Sequence, residues 1–316
     1  MNERQKRIDQ LKSLMSAFAD PIDEVIYHYT SAEGLRGIIE NSEIWLTNVS
    51  FVNDITECKA LQEEKDLFND NDFTNKLVRD CWKDFVDYSH YDYDTYIASF
   101  SRGDESLDQW RGYGNFRIGF EPNNLISPYS NLYSCVYSKD EIKNWILAKE
   151  KVKEWEGESL NDEYKWGAAF NLIYAASKKY KNAYFETERE VRLIAVSHHT
   201  WEPYPNSPSM YEKDPPIHYR DHPVFKVPIP YVKFFRDDGE PKDNTDLILS
   251  ETSKQMKGRK LDEETTKKKG LLPITEILIG PMLHQKEAEI ACKILLKDKG
   301  YEKVKVKVSV IPYRGF

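Results

Sequence analysis

The sequence lacks most of the features that declare a function outright. No run approaches the ~18 consecutive apolar residues needed to cross a bilayer, and the charged opening Met1 to Lys6 leads into no apolar stretch of the signal-peptide kind. A cytosolic protein with no membrane partner is therefore expected. The four cysteines, Cys58, Cys81, Cys135 and Cys292, lie far apart, with no CxxC pair and no His at ligand spacing. That pattern predicts reduced thiols and no metal site. GxGxxG, P-loop and GxSxG signatures are absent. Positive charge is in deficit: Lys+Arg 45 against Asp+Glu 53 give a formal net charge of −8, which excludes a generally basic nucleic-acid coat.

What remains is a folded chain of 316 residues, 40% hydrophobic, long enough to bury a sizeable core. Its 20 Tyr and 7 Trp exceed what a minimal core needs, so some are expected to line a groove. Ile8, Leu11, Leu14, Met15 and Phe18 recur at helical spacing until Asp20-Pro21, giving an N-terminal helix over 1–20. Val25 to Tyr29 reads as a strand, Ser31 caps a helix carrying Leu35, Ile38 and Ile39, and Ile44 to Leu46 is a second strand. Helical insertions are predicted over about 55–92 and 140–181, with an irregular, partly basic insertion over about 198–270. Further strands are expected at Tyr96–Ser101, Phe116–Phe120, from Val136, at Glu190–Val196 and around Val224–Val232. The end reads as strand Ile274–Ile279, helix His284–Lys299 and strand Val304–Ile311, where lysines alternate with valines as on a protected sheet edge. Interspersed strands and helices with no linker point to one α+β domain with helical insertions.

Three short segments carry chemistry-bearing side chains. His28 on the first strand is followed two residues later by the hydroxyl of Thr30. Ser99 and Ser101 flank Phe100, so alternation puts both hydroxyls on one face, and Trp110, Tyr113 and Gly114 follow. Glu188 and Glu190, two apart before an apolar strand, would share a face, an expensive arrangement unless a cation or substrate lies between them; Arg189 and Arg192 supply the bland alternative of a salt-bridge ladder. His198-His199 points apart on an extended segment, and the prolines around His218 and His222 argue against a helix that would align them. The lysines between Lys254 and Lys269 read as a solvated loop or an RNA-contacting one.

In order and spacing these segments resemble the ADP-ribosyltransferase superfamily. His28-Tyr29-Thr30 looks like the opening motif of the branch typified by diphtheria toxin, the poly(ADP-ribose) polymerases and DarT, whereas Ser-x-Ser and Glu-x-Glu look like motifs of the arginine-modifying branch. The whole set, with Asn53-Asp54 and Glu57, Trp110, Arg192 and Ile279-Gly280-Pro281, is similar to a bacterial family of unknown function often found among phage-defence and toxin–antitoxin genes. The resemblance implies an ADP-ribosyltransferase-like split β-sheet core and NAD as co-substrate, with no metal. It assigns His28 to the nicotinamide ribose, Thr30 to the adjacent ribose or phosphate, and Tyr113 or Trp110 to stacking on nicotinamide. Glu190 would stabilise the oxocarbenium-like charge and Glu188 would orient the acceptor or share that work. Tyr29, Asn53, Ser99 and Ser101 complete the nucleotide cleft, and Arg102, Arg111 or Arg192 meets the pyrophosphate.

Which of Ser101 and Tyr113, and which of Glu188 and Glu190, acts in catalysis stays open at this level. The acceptor implied is nucleic acid or protein, with RNA modification included, and an antitoxin and a chaperone are candidate partners. Two alternatives differ in class: a catalytically silent sensor that binds a nucleotide or a partner on the same fold, and a metal-independent ribonuclease using His28, Glu188 and Glu190.

Overall fold

The computed structural model describes residues 20–87, 94–125, 130–156, 162–197, 215–222, 226–237 and 269–312, with scattered positions before residue 20. Where the sequence reads as one domain, the chain forms two compact units. One comprises Met1–Pro21, Val49–Asp94 and Tyr133–Thr187; the other comprises Ile22–Asn48, Thr95–Leu132 and Glu188–Phe316. The physical basis is two separate apolar clusters, one in each unit.

The first unit is helical. Its helices Lys76–Asp87 (α2) and Lys139–Lys149 (α4) are joined by the longer Asp162–Lys179 (α5). Ala168, Ala169 and Ala176 on α5 are small enough to let the backbone of a neighbour approach, and they pack in one cluster with Val78, Cys81, Trp82 and Phe85 of α2. At the rim of this core Asp20 accepts from Lys179 Nζ at 2.7 Å and from Trp145 Nε1 at 2.8 Å. The expected helix over 55–92 is much shorter. Residues up to Asp72 form 3-10 turns, and α2 starts only at Lys76, where the Asn75 side chain accepts from Leu77 N at 3.0 Å. Val136 makes only an isolated bridge to Tyr180; the strand lies earlier, at Ser130–Ser134 (β5).

The second unit is an open mixed sheet with helices, which is the α+β class expected. Its strands are Ile26–Thr30 (β1), Glu43–Asn48 (β2), Asp94–Ser101 (β3), Phe116–Phe120 (β4), Glu190–Ser197 (β6), His218–Asp221 (β7), Pro228–Asp237 (β8), Lys269–Gly270 (β9), Ile274–Ile279 (β10) and Lys305–Val308 (β11). The order is β11-β10-β4-β1-β3-β2-β8-β7, with β6 pairing β3, β5 pairing β6 and β9 pairing β8. β7 lies inside the stretch expected to be irregular: its four residues pair along β8 despite the surrounding prolines. His198, His199 and the lysines from 254 to 268 lie outside the described residues.

Register explains the core. Ile26, His28 and Thr30 sit opposite Phe120, Ile118 and Phe116 of β4, and the same three β4 residues face Ile274, Ile277 and Ile279 of β10. On that side helix Ala32–Asn41 (α1) adds Leu35, Ile38 and Ile39, and helix Gln285–Asp298 (α6) adds Cys292 and Leu296. α1 starts where Ser31 Oγ accepts from Gly34 N at 3.1 Å and stops at Ser42, whose φ of 50° is left-handed. Each buried aliphatic side chain contributes about 2 kcal/mol relative to exposure. The other face carries Tyr27, Tyr29, Arg117, Glu276 and Leu278. Helix Leu107–Tyr113 (α3) packs there through Trp110.

Candidate active site

The candidate site gathers in the second unit, between the end of β1, the β3–β4 connection and the entry to β6. The connection is held in place by Trp110. Its ring meets Tyr29 edge-on with centroids 4.7 Å apart, and its Nε1 donates to Glu105 Oε2 at 3.1 Å. The same carboxylate accepts from Ser309 Oγ at 2.5 Å, so α3 is pinned to both β1 and the end of β11. Immediately after α3, Gly114 adopts φ +120°, and a Cβ there would come within 2.6 Å of the Thr30 carbonyl oxygen. That approach fixes Tyr113 beside the end of β1.

Tyr113 is 42% exposed, and its hydroxyl donates to Glu188 Oε1 at 3.0 Å. Glu188 is half-buried and ends the turn before β6. The next residue, Arg189, has φ 44°, and its carbonyl accepts from Arg102 N at 3.1 Å, which ties the β6 entry to the end of β3. One exposed aromatic ring and one carboxylate therefore meet at the surface.

Glu190 stands differently. Val191, Leu193 and Ala195 belong to the apolar core, so alternation sends Glu190 and Arg192 to the opposite face. Both are buried, 2% and 0% exposed, and Arg192 Nε donates to Glu190 Oε2 at 3.1 Å. A buried, hydrogen-bonded pair of this kind keeps the carboxylate engaged, and removing one partner of it is costly.

His28 lies on the core-facing side of β1, the side opposite to Glu190, with its ring 5.7 Å from that of Phe100. Its Nδ1 bonds the Ser99 carbonyl at 2.9 Å. A carbonyl only accepts, so Nδ1 carries the proton and Nε2 is left as an acceptor in the neutral ring. Burial holds the imidazole below its ordinary value of 6.5, with the Ser99 hydrogen bond opposing. Burial also raises the Tyr29 hydroxyl, whose oxygen accepts from Ser106 N at 3.2 Å.

No family model, curated protein or solved structure matches this chain.

What the site can do must be read from its groups. The structure brings together Thr30, Tyr113 and Glu188, pairs His28 with Ser99, and pairs Glu190 with Arg192. Ser99 itself is exposed, while Ser101 is buried with its hydroxyl 3.5 Å from the Tyr27 carbonyl. Tyr29 and Trp110 are buried packing partners, which leaves Tyr113 as the ring of this set that faces solvent. Asn53 is exposed and belongs to the first unit. Arg192 is engaged by Glu190 inside the sheet.

Sequence reasoning passed over Glu105 and Arg117 and weighed Arg189 only as a rung of a salt-bridge ladder. Glu105 joins α3 to Ser309, Arg117 stacks with its guanidinium carbon 3.4 Å from the Tyr27 ring centroid, and Arg189 packs on Gly103. A signal existed for one of them: Arg117 is a cation inside a five-residue strand that is buried throughout.

Proposed function

We propose that the protein is an NAD-dependent ADP-ribosyltransferase, on an ADP-ribosyltransferase-like sheet, acting on nucleic acid or protein. The observation that carries this reading is the Tyr113–Glu188 hydrogen bond at the surface end of the β3–β4 connection. Breaking the bond between ribose C1′ and the nicotinamide nitrogen expels neutral nicotinamide with the bonding electrons and leaves an oxocarbenium-like sugar. A carboxylate near that carbon stabilises the charge, an aromatic platform positions the leaving ring, and neither task needs a metal. Glu188 is the accessible carboxylate and Tyr113 the accessible ring. The tyrosine hydroxyl orients the carboxylate, which then takes the proton released when the acceptor's oxygen or nitrogen bonds to C1′. His28 Nε2 suits a ribose hydroxyl as donor. A phage-defence or toxin–antitoxin setting, with an antitoxin as partner, belongs to the same reading.

The decisive experiment follows labelled NAD with cellular RNA, DNA and protein. Label transfer or nicotinamide release by the wild type, abolished in Glu188→Gln, supports the proposal. No transfer and no release removes it.

A second reading is favoured by the burial of Glu190 against Arg192. On it, the protein binds a nucleotide or partner without turning it over. Calorimetric binding of NAD with the ligand recovered unchanged would select this reading.

A further inference from the structure

We propose that the turn at Gly103 is a binding site for a phosphate or diphosphate group, formed by Arg117 and Arg189 with Arg102 at its edge. Two guanidinium groups reach the same glycine. Arg117 donates from Nη2 to the Gly103 carbonyl, and Arg189 lies so close that a Cβ at 103 would come within 2.9 Å of its Nη1. Gly103 has φ +80°, a conformation that leaves this approach open. Arg102 precedes it and is bonded through its backbone to Arg189.

The positive charge there is not matched. Arg117 is 5% exposed, makes no ion pair among the described residues, and its buried Nε has no hydrogen-bond partner among them. Its compensation is the Tyr27 ring at 3.4 Å and, more distantly, the Tyr29 ring at 5.6 Å. Arg189 is exposed and likewise has no ion pair among the described residues. The nearby carboxylates are committed elsewhere or lie at the rim. Glu105 accepts from Trp110 and Ser309, Glu276 is held by Lys307 at 2.5 Å, Glu24 reaches only Arg102 at 3.8 Å, and Asp104 is exposed. A buried cation is tolerated when paired, and unpaired it is costly. An anion placed on the exposed Arg189, beside the Gly103 turn that the buried Arg117 also reaches, supplies the missing charge, and the planar guanidinium fork suits phosphate oxygens. Arg189 is itself in the left-handed region, which costs about 1 kcal/mol or more for a residue with a Cβ, as is found where a side chain is held for a task.

This inference stands on its own geometry and does not depend on NAD turnover. It is tested by isothermal titration of the full chain with inorganic pyrophosphate. Arg189→Gly is the informative variant, because glycine suits φ 44° and the protein should fold at least as well. Saturable binding that weakens about tenfold or more in Arg189→Gly and in Arg117→Gln is expected. Displacement of pyrophosphate by NAD assigns the phosphate to a dinucleotide, and displacement only by a short single-stranded RNA assigns it to a phosphodiester; either keeps the site. Absence of binding, or equal binding by Arg189→Gly, overturns it. Pyrophosphate binding without nicotinamide release would leave the anion site standing and remove the transferase.

Discussion

Gly280 lies directly beneath the indole of Trp110: a Cβ at position 280 would come within 2.7 Å of the ring carbon Cε3. The ring cannot retreat easily, because Tyr29 meets it edge-on and Glu105 holds its nitrogen. Gly280→Ala is therefore expected to lower stability by about 1–3 kcal/mol through overpacking, read as a fall in the urea midpoint with an unchanged slope. An unchanged midpoint would show that α3 shifts freely.

The two carboxylates before and within β6 should separate cleanly. Glu188→Gln should reduce nicotinamide release by about a hundredfold or more and leave thermal stability near the wild type, since the glutamine can still accept from Tyr113. Glu190→Gln should cost about 3 kcal/mol of stability by removing the buried carboxylate to which Arg192 Nε donates. The reverse pattern, with activity lost only in a fully stable Glu190→Gln, would move the chemistry to the buried pair.

His28 makes a pH prediction. Its folded value is depressed below the ordinary 6.5. Above about 6.5 neither state is protonated and the group contributes no pH dependence. As the pH falls below that, the unfolded chain takes up a proton that the folded ring resists, so stability declines until the folded value is reached. His28→Gln should flatten this part of the curve between about pH 7 and 5, measured by urea unfolding at several pH values. Parallel curves for the two proteins would refute the assignment.

Asp20 has the opposite signature. Its burial raises the carboxyl, but the Lys179 hydrogen bond and charge, with Lys149 and Trp145, outweigh that and hold it below the ordinary 3.8. The stabilisation is present above about 3.8 and is lost as the pH falls through the folded value. Asp20→Asn should thus be less stable than wild type near neutrality, and the difference should shrink in strong acid. Calorimetric melting across that range checks it.

Much of the sheet is legible in the sequence because short apolar runs bounded by turn residues have one good solution. Phe116–Phe120 and Glu190–Ser197 lie where pattern places them, and so does the strand–helix–strand ending at β11. The stretch after Ile55 is not legible as a helix, because charged residues mimic helical composition while local 3-10 turns satisfy its backbone. The site is legible in part. Spacing brings out Tyr113 and the two glutamates, but it cannot tell which carboxylate is buried. That depends on which face of β6 meets the core, and Val191 and Leu193 decide it. Arg189 is hidden because its importance comes from a backbone angle and from Gly103, not from its neighbours in the chain.

The position of β4 bears on how the chain is made. β4 lies between β1, which precedes it, and β10, which is translated far later. During synthesis it can pair on one side only, with its other row of amides and carbonyls bare beside Phe116, Ile118 and Phe120. A nascent chain therefore carries an open apolar edge until residues 274–279 leave the ribosome, a template for pairing with a neighbouring chain. Strains that slow translation between β6 and β10 should show it first, as aggregated protein.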